Sequence, residues 1–269
     1  MKVFISTDIE GVTTTTTLEE CNERDRLYSM HARQLTEEVL AAIAGARAAG
    51  ATEIVVNDAH GTGRNIDPTR IPSGVLLLRD WNSHPYAMVQ GIDASFDAAM
   101  FLGYHCASGR MGSPMAHTMS AKHVQHLKIN GEIASEFMLA SYACALEGVP
   151  SVFLSGDKAI CDDSANLHPK LVTCTVKEGI GGMTINYSPE DTLKSIKALT
   201  EKALRQDLKR ALVTLPDNFD AELYFKRHVQ AEKASYFPGV TMISDHVVTF
   251  SSGNFFDILN TINWIMPWS

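Results

Sequence analysis

Short apolar runs that end in ligand-type side chains, separated by stretches of helical periodicity, constrain this chain more than any other feature. Residues 2–7 read as a buried strand that runs into Asp8-Ile9-Glu10. Side chains alternate along an extended chain, so Asp8 and Glu10 project to the same side. Two carboxylates held that close repel each other and share protons poorly unless a cation sits between them. Residues 53–56 form a second apolar run, ending in Asn57-Asp58-Ala59-His60, and residues 98–102 another, ending in Gly103-Tyr104-His105. Strand ends carrying Asp, Glu and His predict a metal site assembled at one edge of a sheet.

The spacing between these runs predicts the fold. Residues 23–49 have helical periodicity, without proline, and stop at Gly50. Further strands are expected at 74–78, 126–131, 151–155 and 171–176, with helices at 134–146, around 163–167 and at 188–208. Such alternation predicts an α/β fold, a mostly parallel sheet with helices on both faces. Ligands of these sheets bind outside the carboxyl ends of the strands, where the Asp, Glu and His residues fall. From about residue 213 the character changes. Residues 221–226, 241–243 and 247–251 read as a smaller β-rich carboxyl-terminal part, closed by a helix at 254–265. A boundary near Pro216 divides an α/β metal-binding catalytic domain, 1–215, from a smaller α+β segment, 216–269, suited to oligomerisation. The tail at 261–268 is rich in large apolar side chains, which either pack on the chain's own core or form a subunit contact.

Several function classes are excluded. A formal net charge of −8 with no basic run leaves no nucleic-acid footprint. No apolar stretch approaches the roughly 20 residues that span a bilayer. The sequence enters its first strand directly, and its five cysteines form no CxxC pair. Reduced thiols in a cytoplasmic protein are therefore expected. Gly179-Ile180-Gly181-Gly182 fits no dinucleotide fingerprint, and there is no GK[ST], HExxH or GxSxG motif.

The remaining candidates are few. In Asn57-Asp58-Ala59-His60 the aspartate could orient an imidazole, as carboxylates behind metal ligands do. His105 follows a strand and a glycine. Glu136 lies near the first turn of an apolar helix, where it is either a dipole partner or a further ligand, with Glu132 as its competitor. His117, in the loop Pro114-Met115-Ala116-His117-Thr118-Met119, is either a proton handler or a buried structural histidine. Cys106 reads as a passive thiol, and Lys177-Glu178 as an exposed pair. The other histidines show no pattern. Histidines and carboxylates without clustered cysteine suit zinc, with manganese or cobalt as other occupants. Five candidate ligands exceed what one catalytic zinc takes, whereas two ions sharing a carboxylate use them all. Paired metals polarise a carbonyl together, so hydrolysis is the expected chemistry.

The same residues carry a family resemblance. Ser6-Thr7-Asp8-Ile9-Glu10-Gly11, Val56-Asn57-Asp58-Ala59-His60, Phe101-Leu102-Gly103-Tyr104-His105 and Met115-Ala116-His117-Thr118-Met119 resemble the DppA-type zinc-dependent D-aminopeptidases. Residues 130–136 and Ser155-Gly156-Asp157 match in order and spacing. The resemblance covers nearly all of the first 180 residues and weakens beyond them. It implies two zinc ions per subunit, with Asp8 bridging, Glu10 and His60 completing one site, and His105 with Glu136 the other. It implies a catalytic His117, a toroidal homodecamer, and release of amino-terminal D-residues, notably D-Ala, from short peptides. The chain departs from the family in the threonine run at 13–17, which replaces a more varied loop, and in Cys106, which stands where alanine is expected.

The expected function is thus a cytoplasmic metalloprotease, an aminopeptidase of short peptides. Two rivals differ in class. One keeps the dinuclear site but hydrolyses a non-peptide amide or ester. The other is a non-catalytic binding module with a structural metal, disfavoured because structural zinc is usually held by cysteine.

Overall fold

Valine and leucine, with phenylalanine and isoleucine, make up most of the apolar runs, and each run becomes a strand in the structure, a computed structural model that describes residues 1–168 and 170–266. The first half contains β1 (Lys2–Thr7), α1 (Tyr28–Ala48), β2 (Glu53–Asp58), β3 (Val75–Leu78), β4 (Ala98–Tyr104), β5 (Val124–Ile129) and β6 (Glu132–Ile133). Then come α2 (Glu136–Leu146), β7 (Ser151–Asp157), α3 (Lys158–Leu167), β8 (Val172–Ile180), β9 (Met183–Asn186) and α4 (Pro189–Arg205). The remainder forms β10 (Phe219–Phe225), α5 (His228–Ser235), β11 (Thr241–Ser244), β12 (Val247–Ser252) and α6 (Phe255–Ile265).

Seven strands form one sheet in the order β3-β2-β1-β4-β7-β8-β9, parallel except for the hairpin of β8 and β9. The mostly parallel α/β sheet expected from the alternation is therefore present. Its strands alternate between two cores. Val3 and Ile5 of β1, with Ala98, Met100 and Leu102 of β4, face a core shared with α1 and α4. Phe4, Ala99 and Phe101 point the other way, into a core shared with α2, α6 and a second sheet. This period of two is what buries both faces of the sheet.

The second sheet is antiparallel, in the order β11-β12-β10-β5-β6. It draws on two distant stretches of chain: Leu223 of β10 pairs with Leu127 of β5 on one side and Val248 of β12 on the other. In the closing helix, Ile262 and Met266 are buried while Trp264 is 69% exposed. Pro267 and Trp268, the end of the apolar tail, lie outside the described residues.

The chain runs from β1 outward through β2 and β3, then returns to place β4 on the opposite side of β1. That reversal opens a crevice at the carboxyl ends of β1 and β4, the usual ligand position in such sheets.

Candidate metal centre

β1, β2 and β4 are parallel neighbours, with Thr7 level with Asp58 and with Leu102, so their last residues reach one edge together. Asp8 donates its backbone N–H to Leu102 O at 2.8 Å, and Gly11 to Gly103 O at 2.7 Å. Glycine is required on both sides of this lacing. A Cβ on Gly11 would lie 1.8 Å from Tyr104 O, and Gly103 has φ +71° with a Cβ position 2.2 Å from Asp8 O.

The loop after β2 is held by Asp58, whose carboxylate accepts from the backbone N–H groups of Asn65 (2.6 Å) and Ile66 (2.7 Å). Asn65 in turn donates to His60 O at 2.7 Å. Asp58 thus positions His60 through the backbone rather than by touching its ring. Asp157, at the end of β7, caps α3 by accepting from Ile160 N–H and also accepts from Cys106 N–H at 2.8 Å, fixing the segment that carries His105. Glu136 opens α2, capped by Ser135, and its Oε1 accepts from Met119 N–H at 2.7 Å. Its sequence competitor Glu132 is exposed on β6.

All six candidates converge. His60 Nδ1 lies 3.2 Å from Asp8 Oδ1 and 2.9 Å from Glu10 Oε2. His105 Nε2 lies 3.5 Å from Asp8 Oδ2 and 3.6 Å from Glu136 Oε2. His117 Nε2 lies 3.6 Å from Glu136 Oε1 and 3.9 Å from Glu10 Oε1. Three sets of donor atoms lie within 4.8 Å of one another: Asp8, Glu10 and His60; Asp8, His105 and Glu136; and Glu10, His105 and His117. The first two sets share Asp8.

The histidine tautomers follow from the backbone. His60 Nε2 meets Cys21 O at 3.2 Å, His105 Nδ1 meets Cys106 O at 2.9 Å, and His117 Nδ1 meets Met115 O at 2.9 Å. A carbonyl only accepts, so each of these nitrogens carries the proton. In the neutral ring the other nitrogen then turns a lone pair toward the carboxylates, the arrangement of a metal-ligating histidine.

The electrostatics are those of crowded, dehydrated charges. Burial pushes Asp8 well above the usual carboxylate range, and the charge of Glu10 adds to it. Burial acts upward on Glu10 too, but His60 and His117 outweigh it and hold this carboxyl well below its ordinary value. Glu136 is lowered, its burial overcome by His105 and then His117. For His60 and His105 burial favours the neutral ring, yet Glu10 raises the first well above its usual value and Glu136 raises the second to about 10. Without a metal, protons on imidazoles must balance these carboxylates. Asp8 Oδ2 and His105 Nε2 are nevertheless buried without a hydrogen bond, though they face each other. Orphaned acceptors facing a lone pair fit a divalent cation between them.

One feature differs from the sequence reading. Lys177 is not exposed: it is fully buried, its pKa lowered to about 8 by burial, and its ammonium donates to Glu10 O, Thr15 O and, at 3.1 Å, Val12 O. Side chains of a strand alternate between faces, and an isolated Lys-Glu pair gives no sign of which of the two is turned inward. The threonine run at 13–17 packs into the fold rather than lining the site. Thr13 Oγ1 donates to Thr192 Oγ1, Thr15 Oγ1 meets His31 Nδ1, Thr16 Oγ1 meets Thr184 Oγ1, and Thr13 N–H donates to Glu38 Oε1. Cys106 has its thiol on the carbonyls of Ala107 and Met111, and burial pushes it up to about 12, as suits a passive thiol.

Above the cluster lies a cavity of about 520 Å³. Its wall includes Trp81, Ser83 and His84, residues without any periodic pattern that sequence reasoning passed over. Among the described lining residues, Asp8, Glu10 and Glu136 supply three carboxylates and no lysine or arginine is present.

Known proteins resemble this chain along nearly its whole length. The profile of the family described as D-aminopeptidase matches residues 1–264. A curated D-aminopeptidase of Bacillus subtilis (strain 168) is 32% identical over 246 residues, covering 89% of this chain and 86% of the relative. Among solved structures, the Zn-dependent D-aminopeptidase DppA from Bacillus subtilis, described as a self-compartmentalizing protease, superposes with a TM-score of 0.92 at 27% identity. That match covers 98% of this chain and 96% of DppA.

Proposed function

The chain belongs to the D-aminopeptidase family, and from that premise we propose that it is a zinc-dependent aminopeptidase, binding two ions per subunit, that removes the amino-terminal residue, preferentially D-Ala, from short peptides. The observation that carries this reading is the pair of donor sets sharing one carboxylate. Asp8, Glu10 and His60 would hold one ion, and Asp8, His105 and Glu136 the other. Bound there, zinc supplies a Lewis acid for the scissile carbonyl and lowers the pKa of water toward neutrality.

The chain's own residues supply the rest. On this reading Asp8, Glu10 and Glu136, the three carboxylates of the cavity wall, are committed to the two ions, and trimming from the amino end rests on membership of a family described as D-aminopeptidase. His117 has its Nδ1 proton committed to Met115 O, so Nε2 is the basic nitrogen facing the cavity. It can take a proton on Nε2 and deliver it to the leaving amine.

The chain assembles, on this reading, as a homo-oligomer, a decamer by family resemblance. Met183 and Ile185, 55% and 47% exposed on the edge strand β9, are apolar surface that a second copy would cover. No described helix is long and apolar enough to cross a membrane, and the five free, buried cysteines support a cytoplasmic setting.

The deciding experiment offers D-Ala-D-Ala and L-Ala-L-Ala to metal-stripped protein with and without zinc. Zinc-restored release of D-alanine from the first peptide alone is expected. Activity that survives stripping would overturn the metal mechanism, and zinc-loaded protein that cuts neither peptide would overturn the peptidase reading.

A further inference from the structure

The cavity has a floor and a rim. Asp8, Glu10 and Glu136 are buried, whereas Gly61, Ser83 and His84 of the same wall are exposed to solvent. The segment that carries Ser83 and His84 is held in an unusual conformation. Asp80, Ser83 and Ala87 have φ of +69°, +61° and +43°, three of the six positive values among the described non-glycine residues. Gln90 bridges the turn, accepting from Asn82 N–H at 3.0 Å and donating to Asp80 O at 2.5 Å. Trp81 Nε1 donates to Gly61 O at 2.7 Å, and Asn263 Nδ2 to Ser83 O at 3.3 Å. Backbone held so far from its preferred wells tends to occur where function demands a fixed side chain.

His84 is fixed in this way. Its Nδ1 accepts from Tyr86 N–H at 3.1 Å, and its ring meets those of Tyr86 and Phe256 edge-on, with centroids 4.7 and 6.0 Å away. An N–H only donates, so Nδ1 is bare and the neutral ring carries its proton on Nε2. The three histidines of the metal centre are the reverse case. His60, His105 and His117 donate their proton to a backbone carbonyl and offer a lone pair, while His84 accepts a backbone N–H and offers a proton.

Such a donor has few partners in a peptide. The α-ammonium has only donors, and the scissile carbonyl belongs with the ions at the floor. The next oxygen along the substrate is on the second residue, a backbone carbonyl in a longer peptide and a carboxylate in a dipeptide. That residue follows the cleaved bond, on the side of the substrate that must lead out to solvent, and His84 stands at the solvent rim. We infer that His84 is a substrate-binding residue whose Nε2 proton is donated to the carboxyl-side oxygen of the residue after the cleaved bond. The inference rests on the aminopeptidase reading above and adds to it a polar anchor outside the metal centre.

Two substitutions separate the two ring nitrogens. His84→Asn keeps an acceptor near the place of Nδ1 for Tyr86 N–H but has no donor at the place of Nε2. His84→Gln carries an N–H near the place of Nε2. In zinc-loaded protein, His84→Asn should lower the ratio of kcat/KM for D-Ala-D-Ala over D-alanine ethylamide, which lacks the second carbonyl, by about 10-fold. His84→Gln should restore most of that ratio. A merely structural role would lower both substrates together, so an unchanged ratio overturns the inference. D-alanyl-D-alaninamide identifies the acceptor: a fall like that of the free acid assigns a carbonyl, a wild-type value assigns the carboxylate, and either supports the donor. Calorimetric affinities in a zinc-loaded His117→Ala background give the same ratio where turnover is slow. A wild type that cuts neither D-Ala-D-Ala nor the ethylamide overturns the aminopeptidase reading and the inference with it, while cleavage with an unchanged ratio overturns the inference alone.

Discussion

His105 and His117 lie face to face, their ring centroids 4.3 Å apart and their planes inclined by 16°. Both donate through Nδ1 to backbone carbonyls and turn Nε2 toward carboxylates, yet their surroundings divide their roles. The side chain of His105 is 1% exposed and that of His117 12%, and only His117 lines the cavity. The sealed ring suits a permanent ligand and the open one a group that exchanges protons with substrate. His117→Ala should retain zinc by elemental analysis and lose on the order of 10²–10⁴ in kcat. Wild-type turnover in that variant would remove His117 from the reaction.

Sharing of Asp8 between two donor sets makes metal stoichiometry a sensitive readout. Glu10→Ala or His105→Ala should each disable one set and leave about one zinc per chain by the two-ion reading. Asp8→Ala should strip both sets, because each then keeps two donors where a catalytic zinc takes three. Two retained ions in Asp8→Ala would contradict the shared carboxylate.

Local signals explain what was legible. The strand ends at Asp8, His60 and His105 were readable because each sits where an apolar run stops, and a parallel sheet brings such stops to one edge. Glu136 could not be separated from Glu132 by sequence, since only the pairing of β5 with β6 exposes one and buries the other. The antiparallel sheet was visible as strands but not as a sheet, because Leu127 and Leu223 pair across about a third of the chain and no local pattern records that register. Lys177 was misread for a similar reason. Its partners are three carbonyls of the 10–15 loop, and backbone acceptors leave no mark in a sequence.

That loop hangs on Lys177. Lys177→Met keeps most of the side-chain volume but leaves three buried carbonyls without their donor, a loss of about 2–4 kcal/mol in stability. Since Glu10 sits on the released segment, zinc affinity in a chelator competition should fall with it. A stable variant with wild-type zinc affinity would separate the lysine from the metal centre.

A second buried group predicts how stability depends on pH. Burial lowers His168 from 6.5 to about 4, its ring packed edge-on against Phe137 at 5.5 Å between centroids. Between these two values the unfolded chain holds a proton that the folded chain does not, so stability rises with pH across this window. The contribution is complete above about pH 6.5 and is lost as the pH falls toward 4, in total on the order of 3 kcal/mol. Replacing the ring by an apolar side chain removes the titration without disturbing the backbone bonds His168 N–H to Ser164 O and Leu171 N–H to His168 O. Urea unfolding of wild type and His168→Leu at pH 7 and pH 5 isolates the effect, because the carboxylates contribute equally to both proteins. The wild type should lose more stability than the variant on acidification, and equal losses would show that His168 takes up its proton in the folded state as readily as in the unfolded one.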